Sequence, residues 1–196
     1  MSRFIGFYDY TVILTYASLL SAVSGMYYAA QGNFLYAILF LLLSGLCDAF
    51  DGAVARSKKN RTTSEKAFGI QIDSLCDAIS FGVAPAVLCY FMGVDGFWGR
   101  LILFLYCLCA VIRLAFFNVL EGERQQVEEG ANKYYRGLPV TAISIILPLF
   151  SLLRPVLSEP VFTSLLHLLM LAVAILFVLD FTVKKPDWKR LLTFAG

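Results

Sequence analysis

One histidine, His167, stands in 196 residues, and the five cysteines, Cys47, Cys76, Cys89, Cys107 and Cys109, all fall in apolar runs. Their odd number and placement exclude a disulfide framework. Cys107 and Cys109 have no partners at metal-ligand spacing, so small apolar packing is the expected role of the thiols. His167, isolated in an apolar stretch, reads as a packing or helix-to-helix hydrogen-bonding residue. Charged residues make up only 15% of the chain, too few for the surface of a soluble domain. There is no glycine-rich phosphate loop and no internal repeat, and nothing points to nucleic acid as a partner.

What the sequence has instead is apolar length, with 59% hydrophobic residues. Six stretches, roughly 11–30, 34–56, 67–92, 97–120, 138–154 and 161–183, have about the length a membrane-spanning helix needs. The expected fold is all-α: one domain over 1–196, six transmembrane helices, an integral membrane protein. The first stretch is expected to be retained, although Tyr28-Ala29-Ala30 loosely resembles a cleavage site. Lys and Arg set the orientation. With both termini cytoplasmic, thirteen lie in inner segments, only Arg100 and Arg154 lie outside, and Arg113 lies within a span. Residues 2–10 suggest a short interfacial segment. Tyr27, Tyr28, Trp98 and Trp188 suit the membrane interfaces. Glu121 to Arg136 reads as a solvated loop, and Lys184 to Arg190 as a basic tail on an anionic leaflet.

Four carboxylates interrupt this apolar pattern. Asp48 and Asp51 are three residues apart on one expected helix, and Gly69, Asp73 and Asp77 recur every fourth residue on the next, so each set projects from one helix face. Ionisable groups inside spans are costly, and function is their default explanation. Gly52 and Ala55 continue the Asp48 face with little side chain, leaving room for a ligand against the backbone. A short link should fold the two helices antiparallel and gather four anions in one small volume, where each opposes the ionisation of the others. Divalent cations relieve that opposition. An all-oxygen donor set suits Mg²⁺ or Mn²⁺ rather than zinc, and four acids suit a pair of ions about 3.5–4 Å apart, an arrangement of phosphoryl-transfer sites. An acid-lined ion path and a buried structural network are the other readings of such a cluster.

The string Asp48-x-x-Asp51-Gly52-x-x-Ala55-Arg56, followed by Gly69-x-x-x-Asp73-x-x-x-Asp77, resembles the signature of the CDP-alcohol phosphotransferase family of membrane enzymes. The active-site hairpin is then about 44–86. The resemblance implies two Mg²⁺ or Mn²⁺ ions held by Asp48, Asp51, Asp73 and Asp77, with Asp77 as the base for an acceptor hydroxyl. It implies a CDP-lipid contacted by Gly52, Ala55, Arg56 and Gly69, and a homodimer. The expected setting is a prokaryotic cell membrane with the site facing the cytoplasm. One departure is the link: twelve residues separate Arg56 from Gly69, more than the family carries, so an extra helical turn or a longer loop is required there. Ser64 is the candidate for a hydroxyl from that link at the donor, which the altered spacing leaves unassigned.

Phe81 to Ala86, Arg113 to Val119 and Arg136-Gly137-Leu138-Pro139 resemble the phosphatidylserine synthase branch of that family, except that Phe116 stands where the branch often has a second arginine. The resemblance implies transfer of a phosphatidyl group from CDP-diacylglycerol to a small alcohol, serine foremost, with release of CMP. Glycerol phosphate and inositol phosphate are the alternative acceptors, and a carboxylate-lined cation transporter is a more distant alternative. Arg113 lies about seven residues, or ~10 Å, from the cytoplasmic end of its helix, at a depth like that of Asp48 and Asp77. Arg113 and Asn118 are the expected acceptor-binding residues, with neutralisation of an excess carboxylate as the alternative role for Arg113.

Overall fold

Each apolar stretch becomes a helix whose end is marked by the sequence that stops it. The computed structural model describes residues 6–8, 10–58, 60–127 and 134–184, with backbone alone at 56, 121, 123–127, 134–136 and 182–184. Helix α1 (Ile13–Ala30) follows a 3-10 turn at Tyr10–Val12. A tight link leads to α2 (Phe34–Ser57); in it Gly32 takes φ +75°, a left-handed conformation open to glycine at little cost. Helix α3 (Thr63–Asp77) runs through a π turn (Ala78–Val83) directly into α4 (Ala84–Phe91). Then come α5 (Gly96–Val127), α6 (Ile143–Ser151, entered by a 3-10 turn at Val140–Ala142) and α7 (Glu159–Val178). Among the described residues the all-helical expectation holds, apart from two three-residue strands, β1 (Tyr134–Arg136) and β2 (Thr182–Lys184), paired antiparallel.

Among the described residues, five helical segments are long and apolar enough to cross a membrane: Tyr10–Ala30, Phe34–Ala55, Thr63–Phe91, Gly96–Leu120 and Glu159–Val178. The sixth expected span is the shorter apolar helix Val140–Ser151. Pro148 lies inside it and Ser151 bonds back to the Pro148 carbonyl at 2.6 Å; beyond it the chain continues as turns past Pro155, because proline has no N–H with which to extend a helix.

Two expected boundaries move. The charged segment 121–136 is not all loop: α5 continues to Val127, since Glu, Arg and Gln are good helix formers once a helix is under way. On the acid side, α3 begins at Thr63, where Thr62 and Glu65 form a reciprocal capping box: Glu65 N–H donates to Thr62 Oγ1 at 3.2 Å, and Thr62 N–H donates to Glu65 Oε2 at 2.7 Å. Lys58 Nζ adds a 3.0 Å ion pair to Glu65 Oε1. Half of the twelve residues between Arg56 and Gly69, Thr63 to Phe68, are therefore helical, and only Lys58 to Thr62 lie between α2 and α3. Residues 2–5 of the expected interfacial segment and most of the basic tail, 185–190 with Trp188, lie outside the described residues.

Packing follows the small side chains. Ser18, Ser21, Ala22, Gly25 and Ala29 are the buried face of α1, and small residues let helix backbones approach closely in a membrane. A methyl group on Gly25 would sit 3.2 Å from the Ala37 carbonyl oxygen of α2. Ser18 Oγ also bonds Ser44 Oγ and the Ser44 carbonyl, at 2.8 and 3.1 Å. α1 lies along α2 and also touches α3, the π turn and α4, while α5 pairs with α7, and α6 rests on α2. Phe81, Tyr106, Ile143, Leu147, Phe162 and Met170 fill the centre. The five cysteines are free thiols, and His167 Nδ1 bonds the Thr163 carbonyl at 2.7 Å.

Candidate active site

The antiparallel course of α2 and α3 sorts the four acids into two facing pairs. Asp51, nearer the end of α2, lies against Asp73; Asp48, one turn deeper, lies against Asp77, one turn deeper on α3. Oxygens of Asp48, Asp73 and Asp77 come within 4.8 Å of one another. Asp51 and Asp77 are buried, and Asp48 and Asp73 are half-buried. The spacing read from the sequence thus brings all four together. The helix packing differs from the expected hairpin, because α1 rather than α3 is the main neighbour of α2, so the acids themselves bridge the space between α2 and α3.

Cation binding fits the donors present. Among the described residues, Asp73 Oδ1 is buried with no hydrogen-bond partner, an arrangement costly for a carboxylate unless something positive meets it. Three converging carboxylates with a fourth alongside form an oxygen-only set suited to a hard divalent cation. Asp48, Asp73 and Asp77 could hold such an ion directly, with Asp51 sharing Asp73's side of the cluster.

The remaining expected site residues divide. Gly52 and Ala55 lie half-buried on the outward continuation of α2, whereas the side chain of Arg56 lies outside the described ones. Gly69 is covered by Arg61: a methyl group there would sit 2.5 Å from Arg61 Nη2. Arg61 Nη2 donates to the Glu65 carbonyl at 3.2 Å, and its Nε is buried without a partner among the described residues. Asn118 reaches the acid-bearing helix, its Oδ1 accepting from Ser74 Oγ at 2.7 Å. Arg113 points elsewhere, since five residues turn the helix by about 140°. Its Nη1 donates to the Phe177 carbonyl at the end of α7, 3.2 Å away, and its guanidinium lies 4.5 Å from the Phe117 ring centroid. Gly137, at φ +67°, leaves room for it: a methyl group there would sit 2.6 Å from Arg113 Nη1. Arg113 and the Arg136-Gly137-Leu138-Pro139 stretch therefore share one structural unit at the C-terminal end of α7.

Three participants escape a reading of the sequence. Thr15 of α1 donates from Oγ1 to Asp51 Oδ2 at 3.2 Å. Tyr106 of α5 donates to the Phe81 carbonyl in the π turn after Asp77. Arg61 covers Gly69. Only the Thr62-x-x-Glu65 pattern next to Arg61 carried a signal, that of a helix start.

Helices of this length and hydropathy point to an integral membrane protein, with an acidic oxygen-donor site between two of its helices. The chain belongs to the CDP-alcohol phosphatidyltransferase family, whose model matches residues 10–179. It is similar to the CDP-diacylglycerol–serine O-phosphatidyltransferase of Saccharomyces cerevisiae, with 34% identity over 153 residues, 75% of this chain and 54% of that protein. It is similar as well to the archaetidylserine synthase of Methanothermobacter thermautotrophicus, with 37% identity over 139 residues, 69% of this chain and 55% of that protein. A Methanocaldococcus jannaschii CDP-diacylglycerol–serine O-phosphatidyltransferase is 33% identical over 164 residues, covering 82% of this chain and 71% of that protein. The chain spans about half the length of the first two relatives. No solved structure matches it.

Proposed function

We propose that this protein transfers a phosphatidyl group from CDP-diacylglycerol to the hydroxyl of serine and releases CMP. The observation that carries the reading is the convergence of Asp48, Asp73 and Asp77 within 4.8 Å, with Asp51 against Asp73, in a chain whose family is defined by CDP-alcohol substrates. Serine as acceptor is supported by the relatives' names, which share it although their lipids differ. The basic residues of the α2–α3 link, Lys58 and Arg61 among them, support a site at the cytoplasmic face, where a nucleotide-linked lipid and a soluble amino acid can both reach it. A homodimer is the assembly we propose.

Asp48, Asp51, Asp73 and Asp77 would hold two Mg²⁺ or Mn²⁺ ions. Bound there, the ions supply charge neutralisation for a diphosphate and its departing CMP. The chain does the rest. Gly69 and the Gly52–Ala55 face admit the cytidine end of the donor, and Arg61, whose Nη2 lies beside Gly69 and whose Nε has no partner among the described residues, meets the diphosphate. Asp77 accepts the proton of the acceptor hydroxyl; that oxygen forms the new bond to the phosphatidyl phosphorus as the bond from phosphorus to the CMP oxygen breaks. Asn118, anchored by Ser74, borders the acceptor side.

The direct test is to incubate the purified chain in lipid nanodiscs with CDP-diacylglycerol, Mn²⁺ and a panel of alcohols, then identify the lipid formed and measure CMP. Phosphatidylserine with equimolar CMP is expected, with loss of turnover on chelation. Turnover that persists after thorough chelation overturns the role of the acids as ion ligands, and a different lipid product overturns serine.

A further inference from the structure

The acids all come from α2 and α3, yet α1 touches one of them. Thr15 and Asp51 are both buried, at 5% and 9% exposure, and Thr15 Oγ1 donates to Asp51 Oδ2 across the helix interface at 3.2 Å. A threonine hydroxyl inside a helix ordinarily satisfies itself on the carbonyl four residues back, as Ser24 does in this same helix by bonding the Leu20 carbonyl at 2.8 Å. Thr15 instead spends its proton on a neighbouring helix. The contact is also indexed. One turn deeper, Ser18 bonds both the hydroxyl and the carbonyl of Ser44, which fixes the rotation of α1 on α2 and leaves the Thr15 hydroxyl facing Asp51.

We propose that Thr15 is a positioning residue that orients the Asp51 carboxylate for cation binding, so that α1 is part of the active site; this rests on the two-cation reading above. With Oδ2 engaged by Thr15, the side chain of Asp51 cannot rotate freely away from Asp73, and the donor set is ordered before an ion arrives. Groups that hold a ligating side chain in this way typically affect metal affinity by about 10–100-fold.

The test is direct Mn²⁺ binding, read from the electron paramagnetic resonance of free Mn²⁺, on the purified full chain in nanodiscs without substrate. Thr15→Val, which keeps the shape and removes the donor, is expected to weaken Mn²⁺ binding by about 10–100-fold. Thr15→Ser, which keeps the hydroxyl, should stay within a few-fold of the parent. Ser18→Ala breaks the neighbouring bonds that set the rotation of α1 but keeps the Thr15 hydroxyl, and should weaken Mn²⁺ binding less than Thr15→Val does. Should Thr15→Val not fold, Thr15→Cys replaces it in the comparison with Thr15→Ser, because a thiol is a weak donor of similar size. Parental affinity in Thr15→Val, or equal losses in the serine variant and in the valine or cysteine variant, overturns the positioning role while leaving the cation site intact. Absence of Mn²⁺ binding by the parent chain removes the cation reading itself, and this inference with it.

Discussion

The hydroxyl of Tyr106 on α5 donates to the carbonyl of Phe81 over 2.6 Å, inside the π turn that follows Asp77. In a regular helix that carbonyl would accept from the residue four positions on, which is Pro85 and has no N–H. Tyr106 supplies the missing donor in a place where no water can, as it is fully buried. A proline is thereby accommodated in the segment Thr63–Phe91, and the irregular turn sits immediately beyond the deepest acid, the kind of place where π turns are often found at functional sites.

Tyr106→Phe should cost about 1–3 kcal/mol, the scale for a buried carbonyl left without its partner. A thermal melt in detergent measures it. Unchanged stability would show that the π turn satisfies Phe81 without the phenol.

Asp77 and Asp48 face each other but should differ in their effects. Asp77→Asn is expected to abolish transfer while CDP-lipid binding is largely kept, since an amide cannot take the acceptor's proton. Asp48→Asn removes a charge from the ion-binding set and should weaken both. The comparison is single-turnover CMP release against equilibrium binding of the CDP-lipid. Substantial transfer by Asp77→Asn would move the base elsewhere.

Gly69→Ala probes the donor face. The added methyl meets only the far end of Arg61, a flexible group that can shift, so stability should be unaffected. The KM for the CDP-lipid should rise about tenfold or more, the scale of one methyl-sized misfit in a pocket, with little change for serine. A parental KM for the CDP-lipid would remove Gly69 from the donor site.

Arg113 holds the end of α7 through the Phe177 carbonyl, and a cation there also suits the negative end of a helix. Arg113→Gln should therefore lower the melting temperature by an amount corresponding to about 1–3 kcal/mol, as for other buried hydrogen bonds to a charged group. Its effects on the KM values of serine and CDP-lipid should be small and similar. A selective rise in the serine KM at unchanged stability would instead make Arg113 an acceptor anchor.

The acid site was legible because two strong constraints act on the chain before it folds. Helical periodicity assigns Asp48 and Asp51 to one face and Asp73 and Asp77 to another, and the cost of charge in hydrocarbon makes their presence there informative. Those constraints anticipated the gathering of the four acids, the helical class and nearly all of the spans. The sequence alone could not choose the neighbours. Nothing local decides whether the hydroxyl of Thr15 bonds its own helix or Asp51, or that Tyr106 rather than water meets the carbonyl orphaned by Pro85. Arg113 has the depth of the acids in the sequence, yet its azimuth on α5 turns it toward α7. Only the packed structure settled these, because a hydrogen-bonding group takes whichever partner the close approach of small-residue helix faces puts within about 3 Å, and that approach depends on all the helices at once.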